Sequence, residues 1–345
     1  MWNDPEFDGH ERVLFAHDAA AGLRAVVAIH SSALGPAFGG CRMRAYADDA
    51  AALTDALRLS RGMTYKAAIC GLPLGGGKSV ILGDPRRDKT PDLLRAMGRL
   101  VESLGGRYVV ADDVGTTLDD LAVMREETRH TAAATLASRE STLGVTAHGV
   151  LAAIRAAARQ RLGLADLAGL RVAVQGLGNV GMPLCGYLAA EGASLVVADP
   201  DPARVAQAAT AHGARVVPPE AVYDAGVDLF APCALGGVLD DVAIPRLKAR
   251  VVCGGANNQL AARRHDAALA ARGIAYVPDY VANAGGVIDY YQETIDDRPE
   301  AVLHAVGRIE AITAGILEQA AASGRTPLQV ADAMVAARLA AARAG

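Results

Sequence analysis

Two hydrophobic periods alternate along the chain. Residues 12–16 and 23–30 carry short strand-like apolar runs on either side of 18–22, which predicts a hairpin. An alanine- and leucine-rich stretch with helical spacing starts at Asp48 or Asp49, both suited to a cap, and runs towards Lys66. Thr90-Pro91 opens a second helix, with threonine as cap and proline in the first helical position. Tyr108-Val109-Val110-Ala111 reads as a strand, and 147–160 as a helix. Further strands are predicted at 171–175, 194–198, 215–217, 227–231 and 250–253. From Arg298 the chain is helical to its end, with a break at 324–327. Glycine-bearing segments 35–42 and 283–287 read as backbone-exposing turns, and a short strand at 79–82 follows Gly75-Gly76-Gly77. Strand and helix alternating over 345 residues predict an α/β protein of two domains.

Composition removes several function classes. A formal net charge of -4 supplies no basic stripe for nucleic acid. No run of eighteen apolar residues suggests a membrane span, and the first residues do not form a signal segment. Cys41, Cys70, Cys185, Cys233 and Cys253 are scattered and odd in number, as expected of reduced cysteines in a cytoplasmic protein. Neither they nor the eight histidines are spaced as metal ligands, so no metal site is expected.

Lysine usage points to chemistry. Only Lys66, Lys78, Lys89 and Lys248 occur among 34 basic residues, so arginine carries the surface charge. Lys66 and Lys78 fall twelve residues apart in an apolar, glycine-rich stretch. Unlike a guanidinium, an amine loses its proton readily when it is desolvated or placed beside another cation, which makes it a usable base. The plainer alternative is a pair of surface lysines in a loop. Gly77-Lys78-Ser79 also looks like the end of a P-loop, but that motif needs glycine where Leu72 stands, and Tyr65–Cys70 is helical rather than a strand. The P-loop is rejected.

Two other motifs carry chemistry. Asp112-Asp113 closes a strand, where α/β proteins usually place reacting groups, although one of the two could cap the next helix. Gly176-Leu177-Gly178-Asn179-Val180-Gly181 has a strand before it, a helix after it and Asp199 at the end of the next strand. That is the dinucleotide-binding context, with the pyrophosphate at a helix N-terminus. Asp199 would accept from the adenosine ribose hydroxyls and repel a 2′-phosphate, which favours NAD over NADP. The loops at 232–234 and 254–258 leave the C-terminal ends of strands, where a nicotinamide would lie.

Segments 35–42, 60–85, 111–117, 176–181, 231–236, 255–260 and 283–287 together resemble the Glu/Leu/Phe/Val amino-acid dehydrogenases, most closely the leucine and phenylalanine branch. The resemblance implies an N-terminal substrate-binding and oligomerisation domain over 1–137, to which 318–345 return. A Rossmann-type NAD domain over 138–317 would lie across a cleft. It implies that Lys78 activates water, that Asp113 moves protons to and from the amino group, and that Lys66 and the Gly39-Gly40 backbone hold the substrate carboxylate. Asn257 or Asn258 would fix the substrate and nicotinamide, and Thr146 would contact the carboxamide. The remaining cofactor contacts would come from the glycine turn and from Ala231, Pro232 and Cys233.

The implied side-chain pocket is Phe38, Met63, Ala111, Val287 and Tyr290. None is a cation, as a glutamate enzyme would need, so apolar substrates follow. Phe38 and Tyr290 are bulkier than the aliphatic residues expected in leucine enzymes. The reading is NAD-dependent oxidative deamination of a branched-chain amino acid, with an aromatic substrate as the alternative, by a homo-oligomer. A silent binding relative would have no need of both lysines and Asp113. A 2-hydroxy-acid dehydrogenase would want a histidine–carboxylate pair, and only His148 lies near the matched segments.

Overall fold

The computed structural model describes residues 2–132 and 144–344. The chain divides into two compact units, Met1–Arg139 with Val335–Gly345, and Glu140–Met334. The expected boundary between 137 and 138 lies outside the described residues.

In the first unit β1 (Arg12–Asp18) and β2 (Leu23–Ser31) make the expected hairpin, with Arg12 opposite Ile29. β3 (Ala37–Arg44), β4 (Gly75–Leu82) and β5 (Tyr108–Asp112) complete a mixed sheet ordered β1-β2-β4-β3-β5. β4 runs antiparallel to β2 and parallel to β3, which is itself parallel to β5. Alternation along β2 shows how the sheet is covered. Leu23, Ala25, Val27 and Ile29 pack with helices Pro91–Ser103 and Leu118–Met124, whereas Val26 and Ala28 pack with helix Asp49–Ile69. With both faces buried, the strand reads as one apolar run. Asp48 caps helix Asp49–Ile69 through the Ala51 amide, and Thr90 caps helix Pro91–Ser103 through the Leu93 amide, as expected.

Three expected loops are regular structure. Residues 37–44 form β3, not a turn, because the strand has neighbours on both sides that supply its hydrogen bonds. β4 starts at Gly75 rather than at Ser79, so the triple glycine lies inside the sheet. A Cβ on Gly76 would overlap the backbone of Thr64, so glycine there lets helix Asp49–Ile69 approach the strand. Residues 285–293 form a helix rather than a turn. A Cβ on Gly285 would overlap the Val145 carbonyl, so this glycine serves close packing against helix Val145–Ala157.

The second unit is a six-stranded parallel sheet. β6 (Arg171–Gln175), β7 (Ser194–Ala198), β8 (Arg215–Val216), β9 (Leu229–Pro232), β10 (Val251–Val252) and β11 (Ala275–Tyr276) lie in the order β11-β10-β9-β6-β7-β8. The order reverses between β6 and β9, and a doubly wound fold opens its ligand crevice at that point. β11 has only two residues, too few to show a period, and carries no signal in the sequence. Helices Pro299–Gly307, Ile309–Ser323 and Pro327–Ala344 finish the chain, with Gly324 in the left-handed conformation at the expected break. Among the described residues no helix is long and apolar enough to cross a membrane.

Candidate active site

In the first unit the sheet buries a charged pair. Lys78, on β4, is 6% exposed, and its Nζ lies 2.7 Å from Asp113 Oδ2. The lysine is part of a strand, which disposes of both the loop-lysine and the P-loop alternatives. Arg42, on β3, donates from Nε to the same Asp113 oxygen at 2.9 Å. Burial pushes the Asp113 carboxyl upward, but the charges and hydrogen bonds of Lys78 and Arg42 outweigh it and hold the group well below the usual carboxylate range.

Gly40 leaves room for this pair. A Cβ there would stand 2.6 Å from the Asp112 carbonyl oxygen, 2.8 Å from Asp113 Cβ and 3.1 Å from Lys78 Nζ. A Cβ on Gly39 would overlap the Gly77 carbonyl and come within 3.3 Å of Met63 Cγ. Phe38 and Ala111 are buried on the neighbouring strands β3 and β5. Lys66 occupies the last turn of helix Asp49–Ile69, half-buried and three residues beyond Met63.

The segment after β5 is stitched to β3. Met43 donates its amide to the Val114 carbonyl at 2.9 Å. The Thr116 hydroxyl donates to the Cys41 carbonyl at 2.6 Å and accepts from the Asp113 amide at 3.0 Å. Lys89 ties the same segment down through the Gly115 carbonyl at 3.1 Å and Asp120 at 2.6 Å. Thr117, in a capping box with Asp120, caps the following helix, so neither Asp112 nor Asp113 serves as its cap. Burial, and then the charge of Asp113, push the Asp112 carboxyl upward.

In the second unit the three motif glycines differ. Gly176 takes φ +90 at the turn, and a Cβ on Gly181 would overlap the Gly176 carbonyl. At Gly178 a Cβ would meet only Arg204 Nη1, 3.9 Å away, among the described residues. That opening, with Asn179 and Val180 beside it, faces helix Gly181–Ala190, which has no side-chain cap and no acid in its first turn. Open space and a helix start without a side-chain cap or an acid of its own fit a pyrophosphate. Asp199 accepts from the Leu177 amide at 2.7 Å and the Asp201 amide at 2.9 Å, which fixes its carboxylate beside the turn.

The adjoining loops are held from below. Cys233 donates its amide to the Gln175 carbonyl at 2.7 Å, at the end of β9 where Ala231 and Pro232 are buried; burial pushes its thiol up to about 12, so it stays protonated. Buried Gln259 donates to the Gly254 and Ala256 carbonyls at 2.8 and 3.0 Å. Asn283 donates to Asn257 Oδ1 at 2.9 Å. Asn257 is exposed, whereas Asn258 takes φ +51 and gives its amide to Asp279. Of the two, Asn257 presents the oriented amide. Thr146 stands at the start of helix Val145–Ala157, against Gly285 and Gly286. Val287 and Tyr290 lie one helical turn apart on helix Gly285–Glu293, Val287 buried and Tyr290 half-buried.

Sequence reasoning missed Arg42, Asn283 and Gln259. Arginine is too common here to stand out, and an amide that shapes a loop carries no motif. The signal for Arg42 was its place two residues after Gly40 on a strand next to the lysine strand.

A lysine–aspartate pair buried in one unit, and a dinucleotide turn on a doubly wound sheet in the other, are the parts of an amino-acid dehydrogenase. The chain belongs to the Glu/Leu/Phe/Val dehydrogenase family. Residues 10–130 match the Glu/Leu/Phe/Val dehydrogenase dimerisation domain, and 199–344 match the Glutamate/Leucine/Phenylalanine/Valine dehydrogenase domain. It is 44% identical to a leucine dehydrogenase of Bacillus cereus over 96% of this chain and 91% of that protein. It is 46% identical to an L-tryptophan dehydrogenase of Nostoc punctiforme over 92% of this chain and 90% of that protein. The crystal structure of L-tryptophan dehydrogenase from Nostoc punctiforme superposes with a TM-score of 0.82, at 43% identity, covering 97% of each chain.

Proposed function

We propose that this enzyme oxidatively deaminates an apolar L-amino acid with NAD, giving the 2-oxo acid and ammonia, in a homo-oligomer. The observation that carries the reading is the buried contact of Lys78 with Asp113 at 2.7 Å, beside a glycine-opened backbone, in a chain of this family. The first unit takes the amino acid and the second the dinucleotide. The glycine turn and Asp199 would hold the dinucleotide, with Thr146, Ala231, Pro232, Cys233 and Asn257 on the nicotinamide side. When bound, it accepts the hydride from the amino-acid Cα.

The side chains of this protein do the rest. Lys66 and the Gly39-Gly40 backbone hold the α-carboxylate. Lys78 takes a proton from water as the water adds to the iminium carbon. Asp113, hydrogen-bonded to Lys78, passes protons to the amino nitrogen so that ammonia leaves as the carbinolamine collapses. Anionic Asp113 also stabilises the cationic nitrogen in the transition state.

Phe38, Met63, Ala111, Val287 and Tyr290 offer no cation for a distal carboxylate, and branched aliphatic substrates are the first choice. An aromatic substrate is the second reading, favoured by the likeness to the L-tryptophan dehydrogenase along 97% of the chain. NADH formation at alkaline pH with L-leucine, L-valine, L-phenylalanine, L-tryptophan and L-glutamate, each with NAD and with NADP, tests the whole. Turnover of an apolar acid with NAD is expected. Preference for glutamate, or silence on all five, would overturn the reading.

A further inference from the structure

Arg42 is not an isolated partner of Asp113. Its Nη1 donates to Asp55 at 3.0 Å on one carboxylate oxygen and 3.3 Å on the other. Tyr46 in turn donates its hydroxyl to Asp55 at 2.7 Å. Lys78, Asp113, Arg42 and Asp55 therefore form a chain of alternating charge, drawn from β4, the end of β5, β3 and helix Asp49–Ile69. The arginine side chain is only 13% exposed. Burial disfavours its charge, but Asp113 and Asp55 outweigh that and raise its pKa further.

Both cations fall on Asp113 Oδ2, so the carboxylate is pinned through that oxygen from two sides. A pinned carboxylate has one orientation to offer an amino group, and misplacement by an ångström can cost about 10²-fold in rate. Arg42 reaches the two carboxylates from two different nitrogens of one rigid plane, Nε to Asp113 and Nη1 to Asp55, whereas a lysine has a single nitrogen on a flexible stem.

We propose that Arg42 is a positioning residue for the deamination chemistry. It fixes the Asp113 carboxylate for proton transfer and shares its charge with Lys78, and Asp55 with Tyr46 holds Arg42 in place. The inference rests on the dehydrogenase reading above.

The test compares full-length wild type, Arg42→Ala, Arg42→Lys and Asp55→Asn in amino-acid oxidation, with circular dichroism and NADH binding on each. Arg42→Ala is expected to lose roughly 10²-fold in kcat, with NADH affinity and amino-acid KM close to wild type. Millimolar guanidinium should restore much of that kcat, and should not restore Lys78→Ala. Arg42→Lys should recover little, because one nitrogen cannot stand at both the Nε and the Nη1 positions. Wild-type kcat in Arg42→Ala, or a loss that guanidinium does not relieve, overturns the proposal. If Arg42→Ala does not fold, Asp55→Asn decides: a lower kcat at unchanged KM supports the proposal, and an unchanged kcat overturns it. An active wild type with an indifferent Arg42 sinks only this inference. A wild type silent on every amino acid removes the reading beneath it as well.

Discussion

Glycine has opposite meanings in the two units. In the first, Gly39, Gly40 and Gly76 lie inside strands, where a Cβ would run into backbone or into the Lys78–Asp113 pair. Their absent side chains are filled by the protein itself. In the second, a Cβ on Gly178 would meet only Arg204 Nη1 among the described residues, and the proposed dinucleotide site uses that space beside an uncapped helix. In the proposed mechanism the first unit accordingly works through charged side chains brought together by adjacent strands. The second, on the same proposal, works through backbone amides and a turn. One residue type thus marks packing in one place and recognition in the other, and only the neighbours tell which.

That contrast can be broken experimentally. The largest effect is expected from Lys78→Ala, which removes the proposed general base and should lower kcat by about 10²–10⁴-fold while NADH still binds; stopped-flow turnover near wild type would take Lys78 out of the mechanism. Next comes the glycine pair. Gly76→Ala forces a Cβ into the Thr64 backbone and should destabilise by about 1–3 kcal/mol, read as a lower Tm. Gly178→Ala should leave Tm unchanged and raise the NAD KM on the order of tenfold, the equivalent of one lost hydrogen bond. If Gly178→Ala unfolds the protein, or leaves NAD binding intact, the assigned meanings are reversed.

Asp199→Asn keeps an acceptor for the Leu177 and Asp201 amides but removes the charge. The preference for NAD over NADP should narrow, measured as a ratio of kcat/KM, and a ratio that stays fixed would assign the discrimination elsewhere.

The smallest effect concerns His10, buried against the Leu57 carbonyl and Ser60 in the first unit. Burial, and then the neighbouring His30, lower its pKa from 6.5 to about 4. A base with a depressed pKa folds preferentially in its neutral form. Its contribution is therefore full above the ordinary histidine value and is lost as pH falls towards about 4. The slope of Tm against pH in that window should flatten in His10→Asn, and an identical slope would exclude His10 as its source.

The chain by itself determined much of this. Caps at Asp48 and Thr90, the strand–glycine turn–helix–Asp199 unit, and the scarcity of lysine are local signals, and local signals survive folding. Their physical basis is the backbone: orphan amides need caps, and a pyrophosphate needs glycine at a helix start. The tertiary structure alone decided whether glycine-rich segments were turns or strands, because pairing partners lie far away in sequence. It also decided that Thr117 rather than an aspartate caps the helix after β5, that Asn283 orients Asn257, and that Arg42 joins Asp113 to Asp55. Those contacts are set by strand order and register, and residues 71 apart in the chain become neighbours only when the sheet has formed.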